Sequence, residues 1–248
     1  MRGHVGRGLG QHIGTFVAVL GFVVSAGLPA TAAGQASGPL RTTDHWEIGL
    51  FASGSGAMPL GSASADLTTP GGGMFPLFEA ASRFASGIGM EVQIAHALSG
   101  RVHLAGIATW TRADIETDIT GDAESVADVR LVNRASRVSA EAAVSITLAD
   151  WERRSFYVLM GAGWMRELPD GVVYGADGGI GKLGAGVKYW WRRSPPRTSR
   201  STPAPPRRMR SIGLRVEGRA VARYPGVVIG VSRVRVAPGL LAGLIIGL

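Results

Sequence analysis

Residues 212–224 read IGLRVEGRAVARY, and this stretch restricts the possible fold more sharply than its neighbours do. Ile212, Leu214, Val216, Gly218, Ala220, Ala222 and Tyr224 share one parity, while Arg215, Glu217, Arg219 and Arg223 share the other. Successive side chains of a strand point to opposite faces of the pleat, so the pattern is a β-strand with one apolar and one charged face. A single such strand in a soluble sheet would turn its charges to water. A whole chain of them has a second solution: a closed barrel whose apolar parity meets lipid and whose charges line the interior.

The alternation recurs along the chain. Eight segments carry it, at 45–53, 84–98, 101–111, 137–149, 154–165, 180–191, 212–224 and 233–248. The fourth is the cleanest, with Val138, Ala140, Ala142, Val144, Ile146 and Leu148 opposite Arg137, Ser139, Glu141, Ser145 and Thr147. An even number of strands leaves both chain ends on one side. Ser99-Gly100 and 150–153 are short connections, whereas 54–83, 112–136 and 166–179 are long, and 225–232 lies between. Short turns on one rim and longer loops on the other are the pattern of outer-membrane barrels. The expected fold is all-β: a closed, eight-stranded, antiparallel, up-and-down transmembrane β-barrel over residues 44–248.

Composition narrows the alternatives. Beyond the N-terminal segment there is no apolar run of helix-spanning length. The 37 glycines suit strands and tight turns, and the absence of cysteine removes disulfides, thiolate metal sites and a thiol nucleophile. The net charge of +8 comes almost wholly from arginine, with Lys182 and Lys188 the only lysines. Those arginines are spread over strand positions and a Pro/Arg-rich segment at 192–210, with no basic helical stripe, which argues against a nucleic-acid partner. Residues 1–32 have the form of a signal peptide: Arg2 and Arg7, an apolar core at 15–28, and Ala30-Thr31-Ala32 as a small-x-small cleavage site. Residues 33–43 then read as a flexible lead, and 192–210 as a disordered insertion on the periplasmic side.

Two sets of residues follow from parity. The lumen-facing charges are Glu47, Glu91, Arg101, Glu141, Lys182, Lys188, Arg215, Glu217, Arg219, Arg223 and Arg235, together with His103 and Arg137. An eight-stranded barrel is only wide enough for side chains to fill, so these charges are expected to pair into an interior network. A narrow, anion-leaning pore is the alternative, suggested by the excess of bases. The interface aromatics are Trp46, Phe156 and Trp191 toward the periplasmic rim, with Phe84, Trp110, Trp164 and Tyr224 toward the outer one. At about 3.3 Å per residue and a tilt near 40°, the Phe156–Trp164 interval covers about 20 Å of height.

The alternating segments, the GGIGKLGAGVKY stretch at 178–189 and the apolar alternating C-terminal strand resemble the small outer-membrane β-barrel family, similar to the transmembrane domain of outer membrane protein A. That resemblance implies an envelope protein of a Gram-negative type bacterium, a monomer in contact with outer-membrane lipid and lipopolysaccharide, handled by periplasmic chaperones and the barrel-assembly machinery. It implies no catalytic set and no cofactor. The chain departs from the family in ending on Leu248 rather than an aromatic residue, and in the insertion at 192–210.

Other motifs carry less. Gly179, Gly181 and Gly184 spell GxGxxG, but no helix or downstream acid follows as a dinucleotide site needs. His45, His96 and His103 do not converge on a metal, since His96 has the lipid parity. Asp114, Glu116, Asp118, Asp122, Glu124 and Asp128 crowd the second outer connection, as a solvated acidic loop or a weak divalent-cation bridge to lipopolysaccharide. Met74, Phe75, Leu77 and Phe78 form an apolar patch in the first outer connection, the candidate contact site. The expected role is structural or surface-interacting and non-catalytic. A lipid-modifying barrel enzyme is weakened by the lack of an outer-face histidine. A soluble lipocalin-like carrier would require inverted faces.

Overall fold

The computed structural model describes residues 46–68, 70–121, 127–171, 175–192, 211–224 and 234–248. They form ten strands: β1 (Trp46–Ser55), β2 (Met58–Thr68), β3 (Met74–Phe84), β4 (Gly87–Ala97), β5 (Val102–Thr120), β6 (Val129–Asp150), β7 (Arg154–Pro169), β8 (Ala176–Arg192), β9 (Ser211–Tyr224) and β10 (Arg235–Gly247). Eight of them close a ring. From β1 it runs through β10, β9, β8, β7 and β6 to β5, then through β4 back to β1, with every neighbour antiparallel. The signal peptide, the flexible lead, residues 193–210 of the insertion and the 225–232 connection expected from the sequence lie outside the described residues.

The pleat decides what each face meets. On β9, Arg215 and Glu217 are each 1% exposed, while Val216 between them is 49% exposed. The same holds around the ring: Leu50, Val92, Trp110, Trp164, Leu183 and Leu244 stand outward, whereas Glu91, Glu141, Lys182 and Lys188 are buried inside. Charges therefore occupy the interior and apolar side chains cover the exterior, the opposite of a lipocalin-like carrier. The interior is filled by side chains, as the diameter of eight strands requires. Apolar groups fill the space between the charges, among them Phe51, Trp190, Leu241 and Ile245 near the turn end, and Met58, Leu60, Phe84 and Ala237 near the loop end.

All three long connections hold more strand than expected: β5 and β6 run into 112–136, β7 and β8 into 166–179, and the first changes most. Residues 54–83 are largely a β-hairpin rather than a loop: β2 and β3 prolong β1 and β4 beyond the rim, and β3 goes on pairing with β5 from Phe84↔Ile115 to Glu79↔Thr120. The long pairing of β5 with β6, from Val102↔Ile146 to Ile119↔Val129, completes a projecting four-stranded wall in the order β2-β3-β5-β6. Parity changes at both joints, Gly56-Ala57 and Ala85-Ser86. The inward residues are odd-numbered in β1 and β4 (Glu47, Phe51, Glu91, Gln93) but even-numbered in β2 and β3 (Met58, Leu60, Ser82, Phe84). An extra residue at a joint rotates all that follows to the other face. Phe84, assigned by parity to the lipid interface, is thus turned into the lumen and is 3% exposed.

On the wall the polarity of the faces is reversed. Outward positions of β5 are apolar up to Trp110, then become Arg112, Asp114, Glu116 and Asp118; the inward positions above the rim include Ala113, Ile115 and Ile119. Asp114, Glu116 and Asp118 therefore lie on a strand, not in a loop, and each faces arginine. Arg83 Nε donates to Glu116 Oε2 at 2.7 Å, Arg130 also bonds Glu116 and lies 3.5 Å from Asp118, and Arg134 lies 3.8 Å from Asp114. The hydrogen bonds from Arg83 and Arg130 hold the Glu116 carboxyl below its usual range. With arginines in place, these acids are not a free set for a divalent cation.

Candidate functional site

The lumen carries a charge network in tiers, because alternate residues of six strands point to one axis. Nearest the turn end, Lys188 Nζ donates to Glu47 Oε2 at 2.6 Å and stands 5.5 Å from the Tyr157 ring centre. At mid-height Arg215 donates through Nε to the Tyr157 hydroxyl, through Nη1 to Gln93 Oε1 at 2.6 Å and through Nη2 to Glu217 Oε2 at 2.5 Å. Its guanidinium also lies over the rings of Tyr157 and Phe51, at 4.6 and 5.3 Å. Above it Arg219 reaches Glu91 with both terminal nitrogens, at 2.6 and 3.2 Å, and Glu217 with Nε at 2.9 Å. Lys182 Nζ joins Glu91 at 3.2 Å and Glu141 at 2.8 Å. Nearest the loop end, Arg223 and Arg137 share Glu167, the latter at 3.6 Å, and both guanidiniums lie over the Phe84 ring.

Forked arginine–carboxylate pairs of this kind are the strong members of the ion-pair class, and their geometry fixes neighbouring strands in register. Most parity-assigned charges enter the network: Glu47, Glu91, Glu141, Lys182, Lys188, Arg215, Glu217, Arg219 and Arg223. Arg101 does not. It is exposed in the turn between β4 and β5, because β5 begins one residue later. Arg235 is half-exposed at the loop-end rim. Sequence parity missed Phe51, Tyr157, Glu167 and Trp190 as interior residues, while Gln93 has the polar parity of Glu91 and is buried as that parity requires. Glu167 had a legible signal, since it continues the odd parity of Tyr157, Leu159 and Met165.

Room for this network comes from glycine. A Cβ at Gly186 would stand 2.5 Å from the Tyr157 hydroxyl and 2.5 Å from the Val216 carbonyl oxygen. Outward-facing Gly218, in the adjacent strand, has nothing within 4 Å of such an atom. Gly186→Val is expected to destabilise the folded barrel by about 1–3 kcal/mol through overpacking, and Gly218→Val to leave it within about 0.5 kcal/mol. Urea unfolding of both variants in detergent measures the contrast.

On the exterior, Trp46, Trp110, Phe156, Trp164 and Trp191 are exposed, and Tyr224 is half-buried. Exposed Trp151 joins the turn end, a position outside the strands and so outside the parity reading. Of the candidate contact patch on β3, Met74, Phe75 and Phe78 are exposed and Leu77 is half-buried. Across the wall Leu67, Val129 and Leu131 are exposed too.

Among the described residues, no histidine stands at the loop end, where the His/Ser/acid arrangement of a lipid-modifying enzyme would be placed. His103 belongs to the turn end beside Glu47, and His96 stacks on Trp46 with ring centres 4.5 Å apart.

No family model matches the sequence, and no curated relative does. Among solved structures, the chain is similar to Neisserial surface protein A, with 13% identity, a TM-score of 0.47 and coverage of 82% of this chain and 97% of that one. It is also similar to Ail, the attachment invasion locus protein of Yersinia pestis, with 14% identity, a TM-score of 0.36 and coverage of 81% and 99%. The outer membrane protein AlkL is 16% identical, with a TM-score of 0.37 and coverage of 89% and 96%.

Proposed function

We propose that the chain is an integral outer-membrane β-barrel, of the kind formed by the transmembrane domain of outer membrane protein A, with a structural or surface-interaction role and no catalysis. The observation that carries this reading is the reversal of polarity at the rim. Below it, the exterior of the barrel is apolar and its interior charged; above it, on the β2-β3-β5-β6 wall, the outward face is a ladder of arginine–carboxylate pairs. Such a change has a cause if hydrocarbon ends at the height of Trp110 and Trp164 and water or lipid headgroups begin. A pore is disfavoured by the filled lumen, and enzymatic action by the position of the histidines at the far rim.

Membrane fractionation with a gel of unboiled and boiled samples tests the location. The protein should partition with outer membranes and migrate differently before boiling; recovery as a soluble periplasmic protein would refute the assignment. For the interaction role, the exposed tip of the wall is the contact surface. Cells displaying the Phe75→Ser/Phe78→Ser variant should partition less into a hydrocarbon phase than cells displaying equal amounts of the wild type. Equal partitioning would remove the tip from consideration, while leaving the barrel assignment standing.

A further inference from the structure

In its loop-end half the lumen holds a cavity of about 40 Å³. Its polar lining consists of five hydroxyl side chains, Ser53, Ser55, Thr109, Thr111 and Ser139, and three cationic ones, Arg137, Lys182 and Arg219. No carboxylate lines it. We infer that this cavity is a binding site for a monatomic anion of the halide class, held chiefly by Arg137.

Charge placement points the same way. Lys188 is balanced by Glu47 at the turn end, and at mid-height Arg215, Arg219 and Lys182 are balanced by Glu217, Glu91 and Glu141. In the loop-end tier, by contrast, Arg137 and Arg223 share the single carboxylate Glu167, and Arg235 at the rim acts electrostatically on Arg223 as a third positive charge. The surplus therefore falls beside the cavity. Of the cations that line it, Lys182 and Arg219 are hydrogen-bonded to Glu91, Glu141 and Glu217, whereas Arg137 Nε, paired with Glu167 only at 3.6 Å, is buried without a hydrogen-bond partner. Ser53 Oγ, also in the lining, is a second buried polar atom without a partner. Orphaned buried donors beside a surplus charge call for an ion or water that completes them. The Phe84 ring beneath Arg137 and Arg223 offsets part of their charge but accepts no conventional hydrogen bond.

Size sets the class of anion. By the same measure of volume the cavity has room for about two or three waters, enough for a halide with some hydration. Ser139 and Thr109 give their protons to Glu141 and Glu91, so the hydroxyl donors left for the ion are Ser53, Ser55 and Thr111. Donors around a guanidinium suit a spherical anion, which imposes no directions of its own. The surplus of bases then acts as a binding charge for a resident ion and implies no conducting path.

The test uses the full mature protein folded in detergent. Its thermal midpoint is followed by loss of the fast-migrating unboiled form, with sodium chloride exchanged for sodium gluconate at constant ionic strength. Binding to the folded state alone raises the midpoint with the logarithm of ligand concentration, a shift of about 3–6 °C when chloride stands about tenfold above its Kd. Bromide should replace chloride, and Arg137→Gln should flatten the dependence. Equal midpoints in chloride and gluconate would overturn the proposal in favour of a site filled by water only. So would a chloride dependence that Arg137→Gln leaves intact. Should that variant fail to fold, bromide-soaked crystals of the wild type give the answer: an anomalous peak beside Arg137 and Ser53 supports the site, and its absence refutes it.

Discussion

Replacing Arg215 with methionine is expected to destabilise the folded barrel by about 3–5 kcal/mol, because it leaves buried acceptors unpaired while preserving much of the side-chain volume. Arg215 is 1% exposed and serves Glu217, Gln93 and the Tyr157 hydroxyl at once. Its loss strands a carboxylate that Arg219 alone then balances, although Arg219 is already engaged with Glu91. The cost is one of broken pairing, so it should be recoverable. Adding Glu217→Gln to Arg215→Met removes the uncompensated charge and should restore a large part of the stability, since replacing both members of a buried pair is far less costly than removing one. Urea unfolding of the wild type, the two single variants and the double variant forms a cycle that measures the coupling. If Arg215→Met alone unfolds at the wild-type urea concentration, the network is not holding the strands together.

A second large effect is expected from the opposite parity. Val216 lies between Arg215 and Glu217 yet faces out, and its cross-strand neighbours are Val187 on β8 and Ala242 on β10. Arginine placed there enters the apolar band near mid-height. For a barrel in a bilayer the penalty is about 2–4 kcal/mol, whereas on the exterior of a soluble protein the same substitution would change stability by less than about 0.5 kcal/mol. Unfolding should be measured in lipid vesicles as well as in detergent, because the cost comes from the bilayer core. The same substitution on the outward face of the wall, Ser62→Arg, should be close to neutral. A Val216→Arg protein as stable as the wild type in vesicles would mean that this face does not meet hydrocarbon.

Much of this architecture is written in the sequence because lipid and lumen make opposite demands on adjacent residues. Where both demands act, as on β9 or along Arg137–Leu148 within β6, parity alone places each side chain. The reading fails where one demand stops. Above the rim the outward positions of β5 no longer meet hydrocarbon, so Asp114, Glu116 and Asp118 look like loop residues although they continue the strand. Glu167 escaped notice for the same reason: its outward neighbour Arg166 ended the apolar signal while β7 ran on to Pro169. The joints at Gly56-Ala57 and Ala85-Ser86 are a different kind of failure. A bulge changes parity without changing composition, so Phe84 carried the apolar character of a lipid-facing residue while pointing at Arg137 and Arg223.

The interior network was legible in its members more than in its pairings. Parity selects Glu91, Lys182 and Arg219, but which carboxylate each cation meets depends on strand stagger, set by the hydrogen-bond register around the closed ring. The aromatic lining was harder to read. Phe51, Tyr157 and Trp190 lie on the polar parity, and their place becomes clear only when Arg215 and Lys188 are seen to need partners along that side of the lumen.

Because the chain has no cysteine, single introduced thiols report without background on which way the pleat faces. An environment-sensitive fluorophore on Val216→Cys or Leu244→Cys, in the folded protein in vesicles, should be quenched by nitroxide-labelled lipid and protected from aqueous iodide. The same label on Ser62→Cys should be open to iodide. Iodide quenching at Val216 and Leu244, with no effect of the lipid quencher, would contradict the membrane-spanning barrel.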